Sequence, residues 1–405
     1  MLACLLLALT GCSPGSSSTA HTSPHASLTP GISPSPSISP SPSSSASPLS
    51  TPSPLPSPVT VPSWAAVTAT CGGAATSLEA LIQVQGASSP VLADMTDPTN
   101  PKTLCTLGGA SSVSPELVTQ TVVSWSATQG SPGTVGASVI GVLDLFTGTS
   151  TVAAGWQGGG FMDGLHAWSP DRGFLAYATS EPTAVNLHLL SGGGDRVVAT
   201  LGPVPGRGVS PTQDDAYLGF SADGAYFAFV QTFTSSGDQL QIRRTQDGSL
   251  AYSLPAATMA TWGSTGSSLY FRVPSTNGAI MVWNSATGAA SQALGQSLMW
   301  IQPRADAGDD NLAFTIRDAA GVPHVWLYGH GGRSGGELPA VRSEPAWLNS
   351  TTIFYVEEAA CAPNCGIGPP WQPDGKTFTF DLALQAETTS RIATVFGAWP
   401  RPGQV

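Results

Sequence analysis

One phrase recurs along the sequence: an aromatic residue, a short polar turn, and then a run in which apolar residues alternate. The clearest copy is WSPDRGFLAYA, residues 168–178. Three further copies, and two weaker ones with longer turns, begin at Gly219, Thr261, Ala346, Ser124 and Met299. Alternation of apolar residues is typical of β-strands, so the phrase predicts a turn followed by a strand.

The spacing of the copies predicts a β-propeller. The aromatic residues that anchor them lie 38 to 52 residues apart and are Trp125, Trp168, Phe220, Trp262, Trp300 and Trp347. A repeat of forty to fifty residues is typical of propeller blades. Each copy is followed by two strand-like runs joined by Gly-containing turns, which completes four strands. We therefore expect an all-β propeller of about seven four-stranded blades, with six as the alternative count.

These residues resemble the TolB-like propeller repeat, a relative of WD repeats. Its phrase runs Trp-Ser-Pro-Asp-Gly, then a basic residue and a strand. Residues 168–177 match closely, although Asp171-Arg172-Gly173 reverses the order of glycine and basic residue. The resemblance covers about residues 112–400. It implies a fold but no chemistry, and it implies that Trp168, Pro170 and Asp171 hold the turn between the first two strands of a blade.

The N-terminus is typical of an exported protein. Residues 1–12, MLACLLLALTGC, form an apolar run that is too short to span a bilayer. Leu9-Thr10-Gly11-Cys12 resembles the lipobox of bacterial lipoproteins, although the usual basic residue before the apolar run is absent. The resemblance implies that residues 1–11 are a cleaved signal and that acylated Cys12 anchors the chain in the membrane. An ordinary cleaved signal with an incidental cysteine is the alternative.

Composition separates a tether from a folded domain. Residues 12–63 contain thirteen prolines, are rich in serine and lack Asp, Glu, Lys and Arg. Too few large apolar residues are present to offset the entropy of ordering, so we expect a disordered linker. Residues 64–405 carry every charged side chain and are expected to form the propeller. Residues 79–109 are expected to form a seventh, N-terminal blade, opened by Trp64.

The charge of the chain argues against one class of partner. The formal net charge is −11, and all of it belongs to the predicted domain. An acidic surface repels phosphate backbones, so nucleic acid is not expected as a partner. We expect a monomer outside the cytoplasm, attached to the cell membrane through Cys12.

The cysteines fit an oxidising compartment. Four remain in the domain: Cys71, Cys105, Cys361 and Cys365. The simplest pairing joins Cys71 to Cys105 and Cys361 to Cys365, because CAPNC contains turn-forming residues. The alternative is a four-cysteine zinc site, but two CxxC motifs are absent.

Two sequence motifs suggest hydrolases without satisfying them. Residues 332–336 read Gly-x-Ser-x-Gly, but no helix is predicted after Ser334, as a nucleophile elbow requires. PDGKTF, from Pro373, is one residue shorter than the Asp-box of sialidases, which is itself a structural turn. Prolyl peptidases place a propeller beside a hydrolase domain, whereas the blades here occupy about 340 residues.

Candidate metal ligands are also sparse. Carboxylates cluster in two loops, one with Asp306, Asp309 and Asp310 and the other with Asp94 and Asp97. Calcium prefers clustered oxygen ligands, but neither loop has the alternating spacing of a calcium motif. The domain histidines form no HxH or HExxH array: His166, His188, His324 and His330. Solvated loops are therefore favoured over calcium sites, and no metal or other cofactor is expected.

Two functions remain open. The first is a non-catalytic propeller whose edge loops or axial funnel bind a protein, peptide or glycan. The second is a secreted hydrolase or lyase with carboxylates on the funnel face. A fold does not decide between them. Three or more converging charged or histidine side chains in the funnel would favour an enzyme, and a lining of Ser, Thr and Gly would favour a binding protein.

Overall fold

The repeated phrase forms the first two strands of a four-stranded antiparallel sheet. In the computed structural model of the chain, the residues described are 62–72, 76, 78–109, 113–129, 136–157, 164–181, 184–202, 216–231, 239–255, 257–263, 266–273, 279–294, 304–305, 311–318, 320–329, 333–349, 351–361 and 371–399. All of them belong to one compact unit, Thr51–Val405.

Six four-stranded sheets are the blades of a β-propeller, numbered here in chain order, with the first strand of each innermost. Blade 1 comprises β5 (Val113–Thr119), β6 (Val122–Gln129), β7 (Ala137–Asp144) and β8 (Ser150–Gln157). Blade 2 comprises β9 (His166–Trp168), β10 (Phe174–Glu181), β11 (Ala184–Ser191) and β12 (Gly194–Leu201). Blade 3 comprises β13 (Tyr217–Phe220), β14 (Tyr226–Gln231), β15 (Gln239–Arg244) and β16 (Leu250–Pro255).

The second half of the chain repeats this pattern. Blade 4 comprises β17 (Thr258–Trp262), β18 (Ser268–Val273), β19 (Ala279–Asn284) and β20 (Ala289–Leu294). Blade 5 comprises β21 (Arg304–Ala305), β22 (Asn311–Arg317), β23 (Pro323–Gly329) and β24 (Arg333–Ala340). Blade 6 comprises β25 (Arg342–Trp347), β26 (Thr352–Ala360), β27 (Trp371–Asp381) and β28 (Ala386–Thr389).

A five-stranded closing sheet takes strands from both ends of the domain. Its strands are β1 (Thr68–Cys71), β2 (Glu79–Val84), β3 (Val91–Asp94), β4 (Lys102–Gly108) and β29 (Ile392–Trp399), in the order β1-β4-β3-β2-β29. β29 pairs with β2 and contacts β5 of blade 1 and β27 of blade 6. The propeller fold is confirmed. About seven four-stranded blades were predicted, and the structure has six such blades and this five-stranded closing sheet. The innermost strand of the closing sheet is β29, from the C-terminal end of the domain.

The core lies between neighbouring sheets, so the middle strands bury both faces. In β10, Leu175 and Tyr177 pack with residues of blade 1, while Ala176 and Ala178 pack with residues of blade 3. Large residues alternate with small ones because side chains alternate across a strand and the two neighbouring sheets lie on opposite sides. The alternation of large and small apolar residues in β10 therefore distinguishes two buried faces of the strand, not a buried face from a solvent-exposed one.

A disulfide joins Cys71 to Cys105, which are register partners on β1 and β4. This bond excludes the alternative in which these two cysteines belong to a four-cysteine zinc site. Cys361 is also disulfide-bonded. Its predicted partner, Cys365, lies outside the described residues.

The helical content of the described residues is one 3-10 turn, Ser63–Ala65. Ala65 and Val67 are buried in the core that the closing sheet shares with blade 1. In the part of the chain that the structure describes, no helix is long and apolar enough to cross a membrane. The following predicted residues lie outside that part: Cys12 and the linker to residue 61, Trp300, Asp306, Asp309, Asp310 and His330.

Candidate functional site: an axial pocket

A pocket of about 240 Å³ lies on the propeller axis, where innermost strands of four blades meet. Its walls come from β5, β9, β13 and β17, and its rim includes the turns that follow the last three of these strands. The aromatic residues in the wall are Trp168, Tyr217, Phe220 and Trp262. Glu116 is the one charged residue among the described residues that line the pocket.

Two blades build the rim of the pocket with the same turn. In blade 2, Ser169 Oγ donates to Asp171 Oδ1 at 2.6 Å and accepts a hydrogen bond from Phe174 N at 2.9 Å. Asp171 Oδ1 also accepts from Gly173 N at 2.9 Å. The serine and aspartate therefore close the turn, while Pro170 supplies a preformed backbone.

Blade 3 repeats this geometry without a proline. Ser221 Oγ donates to Asp223 Oδ1 at 2.6 Å, and Tyr226 N donates to Ser221 Oγ at 3.0 Å. The second carboxylate oxygen of Asp223 accepts a hydrogen bond from Ser267 Oγ in the adjoining turn of blade 4. Partial burial opposes ionisation of Asp223, but the hydrogen bonds from Ser221, Ser267 and Ala225 N prevail and lower its pKa.

One residue in each of these turns has a left-handed backbone conformation, and in blade 2 that residue is the arginine of Asp171-Arg172-Gly173. Arg172 has φ of 60°, and Gly224, at the equivalent position of blade 3, has φ of 69°. Glycine adopts this conformation readily, whereas a residue with a Cβ does so at a cost. Blade 2 therefore holds an arginine where the repeat needs a glycine.

The predicted anchor Trp168 ends β9 and is 3% exposed. Its Nε1 donates to Ser124 Oγ of blade 1 at 2.9 Å. Ser124 Oγ also lies 2.8 Å from His166 Nε2, and His166 Nδ1 lies 2.7 Å from Gly164 O. Because a carbonyl only accepts, His166 Nδ1 donates to Gly164 O, and Ser124 Oγ also donates to Gly141 O at 3.2 Å. Ser124 is fully buried, so this serine and histidine bind two blades together and present no accessible nucleophile.

Three other anchors end innermost strands in the same register as Trp168, which pairs with Leu175. Trp262 pairs with Leu269, Phe220 with Phe227 and Trp347 with Ile353. Trp262 Nε1 donates to Gly219 O of blade 3 at 2.8 Å. These side chains position the innermost strands that line the axis.

The assignment of Trp125 as an anchor of this kind was wrong. Trp125 lies inside β6, the second strand of blade 1, and is fully buried against its cross-strand partner Gly141. The innermost strand, β5, precedes it and ends at Thr119 without an aromatic residue. The apolar run around Trp125 resembled the repeated phrase, but its aromatic belongs to the strand after the turn.

Two other candidate histidines in the described part of the chain, His188 and His324, are not among the residues that line the pocket. His188 Nδ1 lies 3.2 Å from Asp195 Oδ2, which also accepts a hydrogen bond from Tyr177 at 2.7 Å. Burial and this hydrogen bond to Asp195 raise the pKa of Tyr177. His324 Nε2 lies 3.5 Å from Asp318. These pairs bridge strands within their own blades.

The calcium candidates that can be located are turn residues. Asp94 Oδ1 accepts from Thr96 N and Oγ1, and Asp97 Oδ1 accepts from Thr99 N and Oγ1. Their oxygens close local Asx turns. Across the described residues, no group of three or more His, Cys, Asp and Glu side chains is placed to hold a metal ion.

The two hydrolase-like motifs lie on strands. Ser334 is in β24, the outermost strand of blade 5, and not on an elbow before a helix. Pro373 to Lys376 lie in β27, where Asp374 Oδ1 accepts a hydrogen bond from Lys376 N and Gly375 has φ of 87°, so the PDGKTF segment forms a bulge within a strand. Neither motif contributes to the axial pocket.

Sequence reasoning missed one cluster of charges in blade 6. Arg342 contacts Glu357 at 2.5 Å and Glu387 at 3.1 Å, and its guanidinium lies 4.0 Å from the centre of the Phe378 ring. Tyr355 OH donates to Glu387 at 2.7 Å. These residues come from all four strands of the blade and are far apart in sequence, so no local motif marks them.

The fold places the chain among β-propeller proteins, and solved structures extend that comparison. It is similar to a prolyl endopeptidase, with a TM-score of 0.52 and 12% identity over 80% of this chain and 50% of that one. It is similar to prolyl oligopeptidase B from Galerina marginata, with a TM-score of 0.51 and 13% identity over 81% and 51%. TolB from Acinetobacter baumannii matches with a TM-score of 0.41 and 17% identity over 66% and 64%.

The chain spans about half the length of the two peptidases. At these identities the similarity concerns the fold alone. No protein-family model matches the sequence, and no curated protein matches it.

Proposed function

We propose that the protein is a membrane-anchored, extracytoplasmic propeller that binds a protein, peptide or glycan in its axial pocket without catalysing a reaction. The observation that carries the proposal is the composition of the pocket wall. It combines four aromatic residues with small residues of the innermost strands, and its described lining includes one carboxylate, Glu116. Aromatic and apolar walls with few polar groups suit recognition.

Catalysis of hydrolysis requires more than this lining offers. Acid–base pairs need two titratable groups with separated pKa values, and a nucleophile needs a base within hydrogen-bond reach. Ser221, the serine that lines the pocket, is fully buried, and its Oγ is held in the turn by Asp223 and by Tyr226 N. Ser124 and His166, beside Trp168, are buried and bonded to each other. Binding therefore explains the described lining better than turnover does.

The pocket proposal is tested by filling the pocket. Thr261 lies half-buried in its wall, so Thr261→Phe should occupy the cavity with little change to the core. We expect peptide and glycan arrays to yield probes that bind the wild-type protein and are lost in Thr261→Phe. Leu384→Ala, at a 75% exposed site on blade 6, is the matched control and should keep binding.

A catalytic outcome would contradict this proposal. If the wild-type protein hydrolysed or eliminated an array probe, and Glu116→Gln abolished that turnover, the hydrolase or lyase alternative would stand. If wild type and Thr261→Phe bound the probe equally well, the axial pocket would not be the binding site.

Membrane attachment is supported by the lipobox-like Leu9 to Cys12 and by the Ser- and Pro-rich segment behind it. Expressed with its native upstream region, the protein should partition with membranes and incorporate labelled fatty acid. Cys12→Ser should abolish the label and release the chain or leave it unprocessed. A wild-type protein that is soluble and keeps a free Cys12 thiol would contradict this part of the proposal.

A further inference from the structure

Arg272 lies at the interface of blades 4 and 5. It follows Tyr270 by two residues on β18 and therefore projects from the same face of that strand. Tyr270 packs with Leu312 and Phe314 of blade 5. The Arg272 side chain is thus directed toward blade 5, beside an apolar cluster of the two blades.

Arg272 has no partner for its charge among the described residues. Its Nε is shielded from solvent and makes no hydrogen bond. None of the ion pairs between described residues includes it. Burial lowers the pKa of the guanidinium, and no carboxylate in the described ranges offsets that loss of hydration.

Two other partly buried arginines have hydrogen-bond partners for their guanidinium groups, although Arg317 Nε, like Arg272 Nε, makes no hydrogen bond. Arg243 donates to Gln241 Oε1 at 2.9 Å and to Gly248 O at 2.7 Å. Arg317 donates to Glu358 at 2.8 Å across the next interface, between blades 5 and 6.

A second unsatisfied group stands beside Arg272. Thr258, the first residue of the innermost strand β17, is its register partner. Paired residues project from the same face of an antiparallel sheet, so the two side chains leave neighbouring strands side by side. Thr258 is 7% exposed, and its Oγ1 is shielded and makes no hydrogen bond. A positive planar donor and a hydroxyl donor are thus both unpaired at one place.

We propose that Arg272 and Thr258 form a binding site for an oxyanion, a carboxylate or a phosphate or sulfate group of a ligand, between blades 4 and 5. The Nε edge of a guanidinium donates two parallel hydrogen bonds to such a group, and the threonine hydroxyl adds a third. Binding supplies the acceptors that both side chains lack. The site lies at the opposite end of β17 from Trp262, which lines the axial pocket, and it does not depend on the function proposed for that pocket.

The test is thermal unfolding of the full chain in detergent, at constant ionic strength, with acetate, phosphate or sulfate replacing chloride. A ligand that binds only the folded state raises the melting temperature as its concentration rises. We expect at least one ion to raise it for the wild type. A larger response to acetate identifies a carboxylate site, and a larger response to phosphate or sulfate identifies a tetrahedral oxyanion.

Variants assign the response to this site. Arg272→Met should lose it, and without the ion should melt no lower than the wild type because an unpaired buried charge is gone. Thr258→Val keeps the charge and should weaken binding roughly tenfold, as loss of one hydrogen bond to a charged ligand does. Arg243→Met, the matched control, should melt lower but keep the response.

The proposal fails if the wild type responds to none of the three ions, or if Arg272→Met and Thr258→Val both respond as the wild type does. An Arg272→Met protein that fails to fold leaves the decision to Thr258→Val, since that variant keeps every charge.

Discussion

Trp168 holds two blades together through both its ring and its indole N–H. The ring is buried in the interface of blades 1 and 2, and Nε1 donates to Ser124. We expect Trp168→Ala to lower the free energy of unfolding by roughly 3 to 5 kcal/mol, because it leaves a large cavity between sheets. Chemical denaturation measures the change.

Trp168→Phe separates the two contributions, since it keeps an aromatic ring but removes the donor. Leu384→Ala, on the exposed surface of blade 6, is the neutral control. A Trp168→Ala protein that unfolds like the wild type but loses ligand binding would contradict this structural role.

Asp223 links the turns of blades 3 and 4 by accepting hydrogen bonds as a carboxylate, and its pKa is lowered in the folded state. A depressed folded pKa gives stability that is present above the unfolded value of about 3.9 and is lost as the pH falls through the folded value. Asp223→Asn should therefore be less stable at pH 7 by about 1 to 3 kcal/mol.

The pH dependence of that difference is the measurement. The gap between wild type and Asp223→Asn should narrow as acid protonates the wild-type carboxyl below pH 4. A gap that stays constant from pH 7 to pH 3 would show that the carboxylate charge is not what stabilises the two turns.

At the level of elements, the turns of blades 2 and 3 differ at one left-handed residue, Arg172 or Gly224. Arg172→Gly relieves that backbone conformation and should stabilise the protein by up to about 1 kcal/mol, although a more flexible unfolded chain offsets part of the gain. Gly224→Ala should destabilise by about 1 kcal/mol, since it imposes the same conformation on a residue with a Cβ.

The pair is its own control, because both substitutions sit in the same turn of neighbouring blades and both are measured by thermal unfolding. If both substitutions raised the melting temperature, or both lowered it, the assignment of backbone strain to this position would be contradicted.

The strands and the turn in blade 2 could be predicted because their signals are local. Ser169, Asp171 and Gly173 are close in sequence, and the strand after them alternates visibly. Trp125 could not be placed, since an aromatic before a turn and an aromatic after one look alike in a single sequence. Only the pairing of β6 with Gly141 on β7 distinguishes them.

Closure of the ring is a property of the whole molecule. β29 supplies the innermost strand of a sheet whose other strands lie more than 280 residues earlier. A chain ending at Arg391 would lack β29 and expose β2, whose Ala80, Leu81 and Ile82 are fully buried. We expect it to lose the cooperative unfolding transition of the wild type in calorimetry.

A chain ending at Trp399 keeps all of β29 and is the matched control for that truncation. If the chain ending at Arg391 kept the wild-type transition, the pairing of β29 with β2 would not be what closes the propeller.

The pocket and the Arg272 site escaped sequence reasoning for the same reason that closure did. Glu116 and Tyr217 meet on the axis from different blades, and Thr258 meets Arg272 only through strand register. Neither pairing has a fixed spacing along the chain, so each depends on how the sheets are arranged around the ring.

The disulfide between β1 and β4 also decides how the domain bears a mechanical load. β1 is the outermost strand, so tension applied through the N-terminal segment would peel it from β4, starting at the Thr68–Gly108 pair. Peeling breaks hydrogen bonds one after another and needs little force, but it reaches the Cys71–Cys105 bond at the last pair of the strand. From there the load passes through a covalent bond into β4. The innermost strand β29, at the other edge of that sheet, is reached last, so a pull on the N-terminal segment would leave the ring and its axial pocket intact.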